Sequence, residues 1–293
     1  MKTAGRLTII VRSIDLRYRS NRAIAFVALV AGVLGLFGVG PDTLEPGWRS
    51  AVGLGAAAIL TWALGRELDP DEPISALVGA VVAIGITAML GPVELMVFFG
   101  LVATARILLR SVGPPPTILD MAALGVLGIL LGSRPGGWPI ALTLAFAVAR
   151  DRTLPGEPGR FGRLTALVIA AGSTGMAVTS GVGIWISPTG LEWGIVIAGL
   201  VAGSLIKPIQ PLSPTDVGGM VLLGRRLASA RRITMAALVL TVAFSGAAGV
   251  VAVGAAYGVL VAVFAVQRRI LPLGRGPETL GRVDQQPKWA GDI

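Results

Sequence analysis

Nearly continuous apolar stretches, separated by short polar turns, occupy most of the chain. Most of them are slightly shorter than the roughly 20 residues that a membrane-spanning helix needs. The pattern predicts an all-α, polytopic integral membrane protein whose transmembrane helical domain covers residues 22–267. The stretches are Arg22–Gly40, Ser50–Gly65, Ile74–Leu90, Pro92–Ile107, Thr117–Gly132, Trp138–Ala149, Leu164–Val182, Leu191–Ile206 and Ile233–Val266.

The last stretch is too long for a single span. As one helix, Ile233–Val266 would extend about 50 Å, whereas the hydrocarbon core of a bilayer is about 30 Å thick. Its centre, Ser245–Gly249, consists of small residues and contains two glycines. We therefore predict a tight turn there, and about ten short transmembrane helices arranged as five helical hairpins.

The basic residues determine the predicted orientation. With the N-terminus inside, all of the 25 Lys and Arg except Arg49 and Arg134 lie in cytoplasmic segments, the bias that membrane proteins show. The prediction is N-in and C-in, multi-pass, in the plasma membrane of a prokaryote. Residues 1–21 are predicted to form a basic cytoplasmic segment with an interfacial helix, and 268–293 a basic tail. The inner segment Ser213–Arg232 is predicted as a second interfacial helix.

Composition excludes several classes of function. The chain has no Cys and no His, so disulfides, iron–sulfur clusters, imidazole metal sites and serine–histidine catalytic pairs are excluded. The net charge of +9 is spread over inner segments, where it suits anionic lipid head groups rather than nucleic acid. We predict no catalytic residue, no metal and no cofactor. The expected partners are the bilayer and its anionic head groups, with protein subunits or a second copy in a homodimer as further candidates.

The order of helices suits a transporter built from two halves. If Arg22–Gly132 and Trp138–Val266 are repeats of five helices each, the odd number gives them opposite orientations, as in many transporters. The alternative is that the regular hairpins reflect only what every short membrane hairpin needs at its ends, where backbone groups lack partners.

Hydroxyl groups are most concentrated in the seventh stretch, within 171–181. A helix so rich in Gly, Ser and Thr either packs very closely against its neighbours or breaks and exposes carbonyl groups to a substrate. In a permease we would expect the solute to bind there. The predicted contacts are Ser173, Thr174, Thr179 and Ser180, with Trp62 and Tyr257 as aromatic walls.

An acidic segment interrupts the basic inner surface, with four carboxylates within 67–72. In one interpretation these residues end one helix, start the next and pair with a neighbouring arginine. In a second they dock a partner protein. In a third they hold a divalent cation that, with arginines, grips a lipid phosphate. The residues concerned are Arg66, Glu67, Asp69, Asp71 and Glu72.

Other polar residues are predicted to cap helices. Glu94 and Glu192 lie in first turns, where a carboxylate stabilises unpaired amides. Capping patterns also occur at Asp71–Ser75, Pro116–Asp120 and Ser213–Asp216. The mixed cluster Arg150–Arg152 is expected to pair internally.

We predict a permease for a small neutral, zwitterionic or amphipathic solute, because the loops are compact and no soluble domain is evident. No ionisable residue lies at the midpoint of a predicted span, which disfavours a buried carboxylate relay. One alternative is a non-catalytic anchor or scaffold subunit of a larger membrane complex. Another is an enzyme acting on a lipid phosphate at the cytoplasmic face; enzymatic activity is the less favoured interpretation.

Overall fold

In the computed structural model, the described part of the chain is entirely α-helical. The structure describes residues 16–38, 46–111, 115–155, 161–182, 188–205 and 222–267. Within these ranges there are nine helices and no strand, so the all-helical prediction is confirmed. The helices are α1 (Arg19–Leu36), α2 (Trp48–Leu68), α3 (Pro73–Leu90), α4 (Leu95–Leu109), α5 (Ile118–Leu131), α6 (Gly137–Asp151), α7 (Gly162–Thr179), α8 (Gly190–Leu205) and α9 (Gly224–Gln267).

Each predicted stretch corresponds to one helix. The largest difference between predicted and observed helix bounds is at the start of α9. This helix begins at Gly224, within the segment predicted as a separate interfacial helix. Its first turns are basic yet continue into the apolar run, because Arg226 and Arg231 are buried against other helices. The tail 268–293, the capping pattern Ser213–Asp216 and most of segment 1–21 lie outside the described residues.

Helix α9 is broken at Gly246, inside the predicted turn Ser245–Gly249. Gly246 has φ 53° and ψ −133°, which no helical residue adopts. The chain folds back at this point, because a Cβ added at Gly249 would overlap the carbonyl oxygen of Thr241. In a continuous helix these two residues would be about 12 Å apart along the axis. The long apolar run is therefore two helical segments, as its length required.

Within the described ranges, four helices are long and apolar enough to cross a membrane, which is consistent with a membrane protein. They are Arg19–Leu36, Trp48–Leu68, Pro73–Leu90 and the segment Gly224–Val263 of α9. Helices α4 and α5 and the Gly190–Val201 part of α8 are apolar but shorter. At 1.5 Å per residue, the 14 residues of α5 extend only about 21 Å.

The two segments of α9 form the centre of the packing. Helix α9 contacts α2, α3, α4, α6 and α8, while α1 lies on α2 and α3, and α5, α6 and α7 pack together. Small residues permit the close contact with α3, since a Cβ on Gly258 would lie 2.9 Å from the carbonyl oxygen of Gly79. Helix α3 packs chiefly on α2 and α9 rather than on α4. The five-hairpin arrangement and the orientation remain predictions.

Two of the predicted helix caps are confirmed. At the start of α5, the hydroxyl of Thr117 accepts from the amide of Asp120, whose carboxylate accepts from the amide of Thr117, which is a complete capping box. At α8 the carboxylate of Glu192 accepts from the amide of Thr189.

Two other predicted caps differ in the structure. At α3 the N-cap residue Glu72 makes no side-chain capping hydrogen bond, and the hydroxyl of Ser75 donates to the carbonyl oxygen of Glu72. Glu94 makes no capping hydrogen bond, and its carboxylate lies 3.9 Å from Arg134.

Candidate functional site

The C-terminal ends of α2, α4 and α6 meet the first turns of α9 at one end of the molecule, which we call the arginine end. Four arginines and three carboxylates are gathered there, and none is more than 9% exposed. Charged side chains this well buried are rare unless they are paired. We call this group the buried ion cluster: Glu67, Asp69, Arg106, Arg110, Asp151, Arg226 and Arg231.

Asp151 is the carboxylate with the most partners in the buried ion cluster. Arg110 donates to it through Nε at 2.9 Å and Nη2 at 2.6 Å, and Arg226 donates through Nη1 at 2.8 Å. The prediction that Arg150–Arg152 pairs internally is therefore wrong for Asp151. The side chain of Arg150 donates to the hydroxyl of Thr153 instead. Asp151 is the last residue of α6, and its carboxylate is directed towards Arg110 at the end of α4 and Arg226 in α9. The predicted pairing with Arg150 or Arg152 would have directed the carboxylate along its own helix.

The acidic segment 67–72 is divided between the interior and the surface. Glu67 accepts from Arg106 at 3.0 Å, and Asp69 lies 3.5 Å from Arg231. Asp71 and Glu72 remain half-buried at the surface. The segment is therefore neither one exposed docking loop nor a cage of carboxylates. Among the residues that the structure describes, no group of three or more metal-ligating side chains is placed to hold a metal ion.

Arg66 closes the turn that follows α2. It donates from Nη1 to the carbonyl oxygen of Pro70 at 3.0 Å. Its predicted role at a helix end therefore has a geometric basis in this hydrogen bond to the backbone of the turn.

Two arginines of α9 also cap other helices. Arg226 donates to the carbonyl oxygens of Leu108 at 2.9 Å and Pro155 at 2.8 Å, and Arg231 donates to that of Leu68 at 2.6 Å. Leu68 and Leu108 lie in the last turns of α2 and α4, where carbonyl groups lack helical partners and the helix dipole favours a cation. The arginines thus satisfy groups that would otherwise be orphaned in a dry interior.

Asp69 is the least compensated carboxylate of the buried ion cluster. Its pKa is raised to about 6, chiefly by burial. The charge of Arg231 opposes this rise, the neighbouring charges of Glu72 and Asp71 add to it, and Arg66 lowers the pKa. Desolvation therefore exceeds the attraction of the facing arginine. A carboxyl group with such a pKa exchanges its proton near physiological pH.

Sequence reasoning missed five members of the buried ion cluster: Arg106, Arg110, Asp151, Arg226 and Arg231. Each lies at the end of an apolar stretch, where positive-inside bias or capping explains it equally well. Their partners are remote along the chain, up to 163 residues away for the contact between Arg231 and Leu68. One usable signal was the pair of arginines directly before the longest apolar run, because a membrane helix that begins with charges needs counter-charges.

The predicted solute contacts on α7 are engaged by their own helix. Ser173 and Thr174 both donate to the carbonyl oxygen of Ala170, and Thr179 donates to that of Gly175. Ser180 follows the last residue of the helix and is exposed. Of the two outcomes expected for this segment, close packing is the one observed, because α7 is unbroken and packs on α5 and α6.

Trp62 and Tyr257 lie in other helix interfaces. Trp62 packs in an apolar cluster of α1, α2 and α3, whereas Tyr257 lies on the second segment of α9 beside Gly199 of α8. The structure therefore does not bring the six predicted contacts together: Trp62, Tyr257 and the α7 residues lie apart, and Thr179 and Ser180 are exposed. Both aromatic side chains have a buried polar atom, Nε1 of Trp62 and Oη of Tyr257, that finds no hydrogen-bond partner in the described part of the chain.

Thr174 has a structural partner, and this leads to a first prediction. Nε1 of Trp138 donates to its hydroxyl at 3.1 Å, and the same indole makes an edge-to-face contact with Phe244 of α9. We expect Thr174→Val to lower the free energy of unfolding by about 1 kcal/mol, because the indole N–H loses its acceptor.

Thr179→Val is the matched control for this prediction. The hydroxyl of Thr179 is exposed and bonds only to carbonyl groups of its own helix, so the change is expected to stay within about 0.5 kcal/mol. Thermal unfolding in detergent compares the two variants. Equal midpoints would show that the indole contact contributes nothing.

Comparison with known proteins identifies no relative, so a function has to be argued from the geometry of the structure. No family model matches the chain, and neither a curated protein nor a solved structure is found that matches it. The buried ion cluster and the unpartnered aromatic side chains are therefore the features from which a function is argued.

Proposed function

We propose that the chain is a multi-pass plasma-membrane permease for a small neutral, zwitterionic or amphipathic solute, and that the buried ion cluster closes its cytoplasmic end. One observation carries this proposal. The pairs Arg110–Asp151 and Asp69–Arg231 each join a helix from the first predicted half to a helix from the second. Ion pairs that bridge two halves at one end are what a gate between those halves requires.

The chemistry of these pairs suits a contact that breaks and re-forms. Desolvation offsets most of the attraction between buried opposite charges, so that a complete buried ion pair contributes little net free energy. The closed and open arrangements then differ by only a few kcal/mol, which is the condition for alternating access. An apolar seal of the same area would favour the closed state far more strongly.

The proposed topology is N-in and C-in, with about ten helices in five hairpins. In its support, α2, α4 and α6 end at the arginine end and α9 begins there, as expected when successive helices run in opposite directions. Contacts at the starts of α4 and α8, between Glu94 and Arg134 and between Glu192 and Gly246, would then lie outside. The positive-inside rule assigns the arginine end to the cytoplasm.

Tyr257 is the proposed solute contact to test first. Tyr257 is about midway in sequence between Gly246 and the end of α9. Its hydroxyl has no partner among the described residues, so a solute hydroxyl, amine or carbonyl group would satisfy it. The indole of Trp62 offers a donor in the same way. The hydroxyls of Ser173, Thr174 and Thr179 already bond to the carbonyl groups of α7.

The second prediction therefore concerns Tyr257→Phe. The purified chain is reconstituted into vesicles, and osmotic swelling is followed by light scattering across a panel of small neutral and zwitterionic solutes. We expect faster swelling than in protein-free vesicles for at least one solute. Tyr257→Phe should weaken the apparent affinity for that solute by up to about tenfold, the value of one hydrogen bond. Its unfolding midpoint should not fall, because no protein hydrogen bond is lost.

The same preparation tests the alternatives. Mass determination after purification in mild detergent reveals any stoichiometric subunit. A stoichiometric partner together with no solute-dependent swelling would replace the permease with an anchor or scaffold subunit. The lipid-phosphate enzyme is less well supported, because Glu67 and Asp69 are buried and face arginines rather than a shared cation site.

A further inference from the structure

We propose that Asp69 is the proton-binding site of this permease: one proton is bound when the arginine end closes and is released to water when it opens. The coupling of that proton to solute movement rests on the proposed function, whereas the link between proton and opening does not. The proton moves between water and Oδ2 of the carboxylate, so no other reactant is needed.

The position of Asp69 makes an ionised carboxylate costly there. The residue is 3% exposed, and its Oδ1 lies 3.5 Å from Arg231, beyond the range of a good charge-assisted hydrogen bond. Its Oδ2 is buried with no hydrogen-bond partner in the ranges that the structure describes. Asp151, by comparison, receives three hydrogen bonds of 2.6–2.9 Å from two arginines.

The closed cluster tolerates a neutral Asp69. Nε of Arg231 donates to the carbonyl oxygen of Leu68 at 2.6 Å, one residue before the carboxylate. This bond does not depend on the charge of Asp69, so the arginine keeps an acceptor after the carboxylate is protonated. Protonation therefore removes a desolvated charge without disconnecting α9 from α2.

The charged groups around Asp69 come from three elements. Arg231 faces it from α9 and Arg66 from its own helix, and both favour the ionised form. Asp71 and Glu72, in the turn that leads into α3, favour the protonated form. The charges of α4 are committed elsewhere, since Arg106 is paired with Glu67. Together with burial, these groups raise the pKa of Asp69 from 3.8 to about 6.

The direction of the coupling follows from linkage. When the arginine end opens and Asp69 reaches water, its pKa returns towards 3.8, so the closed state binds the proton about 100-fold more tightly than the open state. Opening is therefore suppressed at acid pH, becomes easier as pH rises from about 4 to about 6, and is independent of pH above about 7. Opening in a neutral cytoplasm releases the proton inside.

A single cysteine reports opening directly, because the natural chain has no Cys. Thr234 lies one turn beyond Arg231, is fully buried, and its hydroxyl has no hydrogen-bond partner in the described chain. Thr234→Cys is therefore an isosteric reporter of water access. Thr153→Cys, at an exposed position of the same end, is the reference that removes the effect of pH on thiol reactivity.

The experiment measures the labelling rate of the Thr234→Cys thiol relative to the Thr153→Cys thiol, using a dipyridyl disulfide, from pH 4.5 to pH 7.5. We expect the ratio to rise about 20-fold, with a midpoint near pH 6. Asp69→Asn should abolish the rise and keep the ratio low at all pH values, because the amide mimics the protonated acid. A flat ratio in the parent protein, or a persistent rise in Asp69→Asn, overturns the proposal.

Two further variants test the assignment to Asp69 even if Asp69→Asn does not fold. Glu67→Gln removes a carboxylate that is as deeply buried but pairs within the first predicted half, and it should retain the rise. Asp71→Asn should move the midpoint to lower pH, because the charge of Asp71 raises the pKa of Asp69. An unchanged midpoint in Asp71→Asn, or loss of the rise in Glu67→Gln alone, contradicts the assignment to Asp69.

The outcomes separate this inference from the permease itself. Solute-dependent swelling of vesicles without a pH-dependent labelling ratio refutes the proton site and leaves the permease standing. A labelling ratio that rises with pH in a protein that moves no solute refutes the permease and retains proton-linked opening.

Discussion

Asp151→Leu is expected to lower the stability of the protein more than any other single substitution in the buried ion cluster. Asp151 is 1% exposed and is the common acceptor of Arg110 and Arg226. Its loss leaves two guanidinium groups buried beside each other with no counter-charge between them. Removing one partner from a buried ion pair costs about 3–5 kcal/mol, chiefly because the remaining charge stays desolvated. Thermal unfolding in detergent at fixed pH measures the effect.

Glu94→Gln is the matched control for Asp151→Leu. It also removes a carboxylate that faces an arginine, but the side chain of Glu94 is 36% exposed and its Oε1 lies 3.9 Å from Nε of Arg134. Exposed pairs of this kind contribute about 0–1 kcal/mol, because solvent screens them. Similar midpoints for the two variants would mean that Asp151 is hydrated in solution and that the arginine end is not closed.

A second substitution tests the cause of the destabilisation. Adding Arg226→Met to Asp151→Leu removes one of the two uncompensated cations, so part of the lost stability should return. Adding Arg231→Met instead should return nothing, because Arg231 pairs with Asp69 and bonds to Leu68. A uniform loss in both double variants would indicate a packing effect of the leucine rather than unpaired charge.

The positions of the helices could be predicted because their signal is local. Each described helix coincides with an apolar stretch, and the turn within Ser245–Gly249 followed from the length of the last stretch and the small residues at its centre. The capping box at Thr117 and Asp120 likewise depends on residues three apart, so spacing was sufficient to find it. The local pattern carries no information about a contact whose two residues are far apart in the sequence.

The buried ion cluster could not be predicted from the sequence, because its members are far apart along the chain. Arg110 and Asp151 are 41 residues apart, and Arg226 and Asp151 are 75 residues apart. Each residue by itself has a sufficient local explanation at a helix end, so nothing in the pattern distinguishes a solvated arginine from a buried one. The same ambiguity divided the acidic segment, in which Glu67 and Asp69 face inwards while Asp71 and Glu72 do not.

Local pattern also failed to group the hydroxyls and aromatic side chains of the proposed transport path. The Gly, Ser and Thr content of α7 indicated either a broken helix or a closely packed one. The tertiary contacts decide between them: a Cβ on Gly132 would overlap the carbonyl oxygen of Ser173, so α5 and α7 approach too closely to leave room for a solute between them. The unpartnered hydroxyl of Tyr257 is instead found where α8 meets α9.

Gly249→Ala is expected to have the second largest effect, because it acts on the reversal that divides α9. The added Cβ would meet backbone on the facing segment: it would overlap the carbonyl oxygen of Thr241 and lie 3.1 Å from Cα of Val242. Backbone atoms cannot turn aside as a side chain does, so the two segments must separate. Overpacking of this kind costs about 3 kcal/mol at its upper range, and thermal unfolding in detergent measures it.

Gly175→Ala is the control, and it is expected to raise the unfolding midpoint if Gly249→Ala lowers it because of the chain reversal at Gly246. Gly175 is also helical, in α7, but a Cβ there would meet nothing within 4 Å. Alanine in place of an unobstructed helical glycine stabilises by about 0.5–1 kcal/mol, since the unfolded chain loses freedom and the helix loses nothing. The two variants make the same chemical change and are predicted to move the unfolding midpoint in opposite directions. Stabilisation in both would mean that α9 does not fold back on itself, and the contact between Glu192 and Gly246 at the opposite end would have to be abandoned with it.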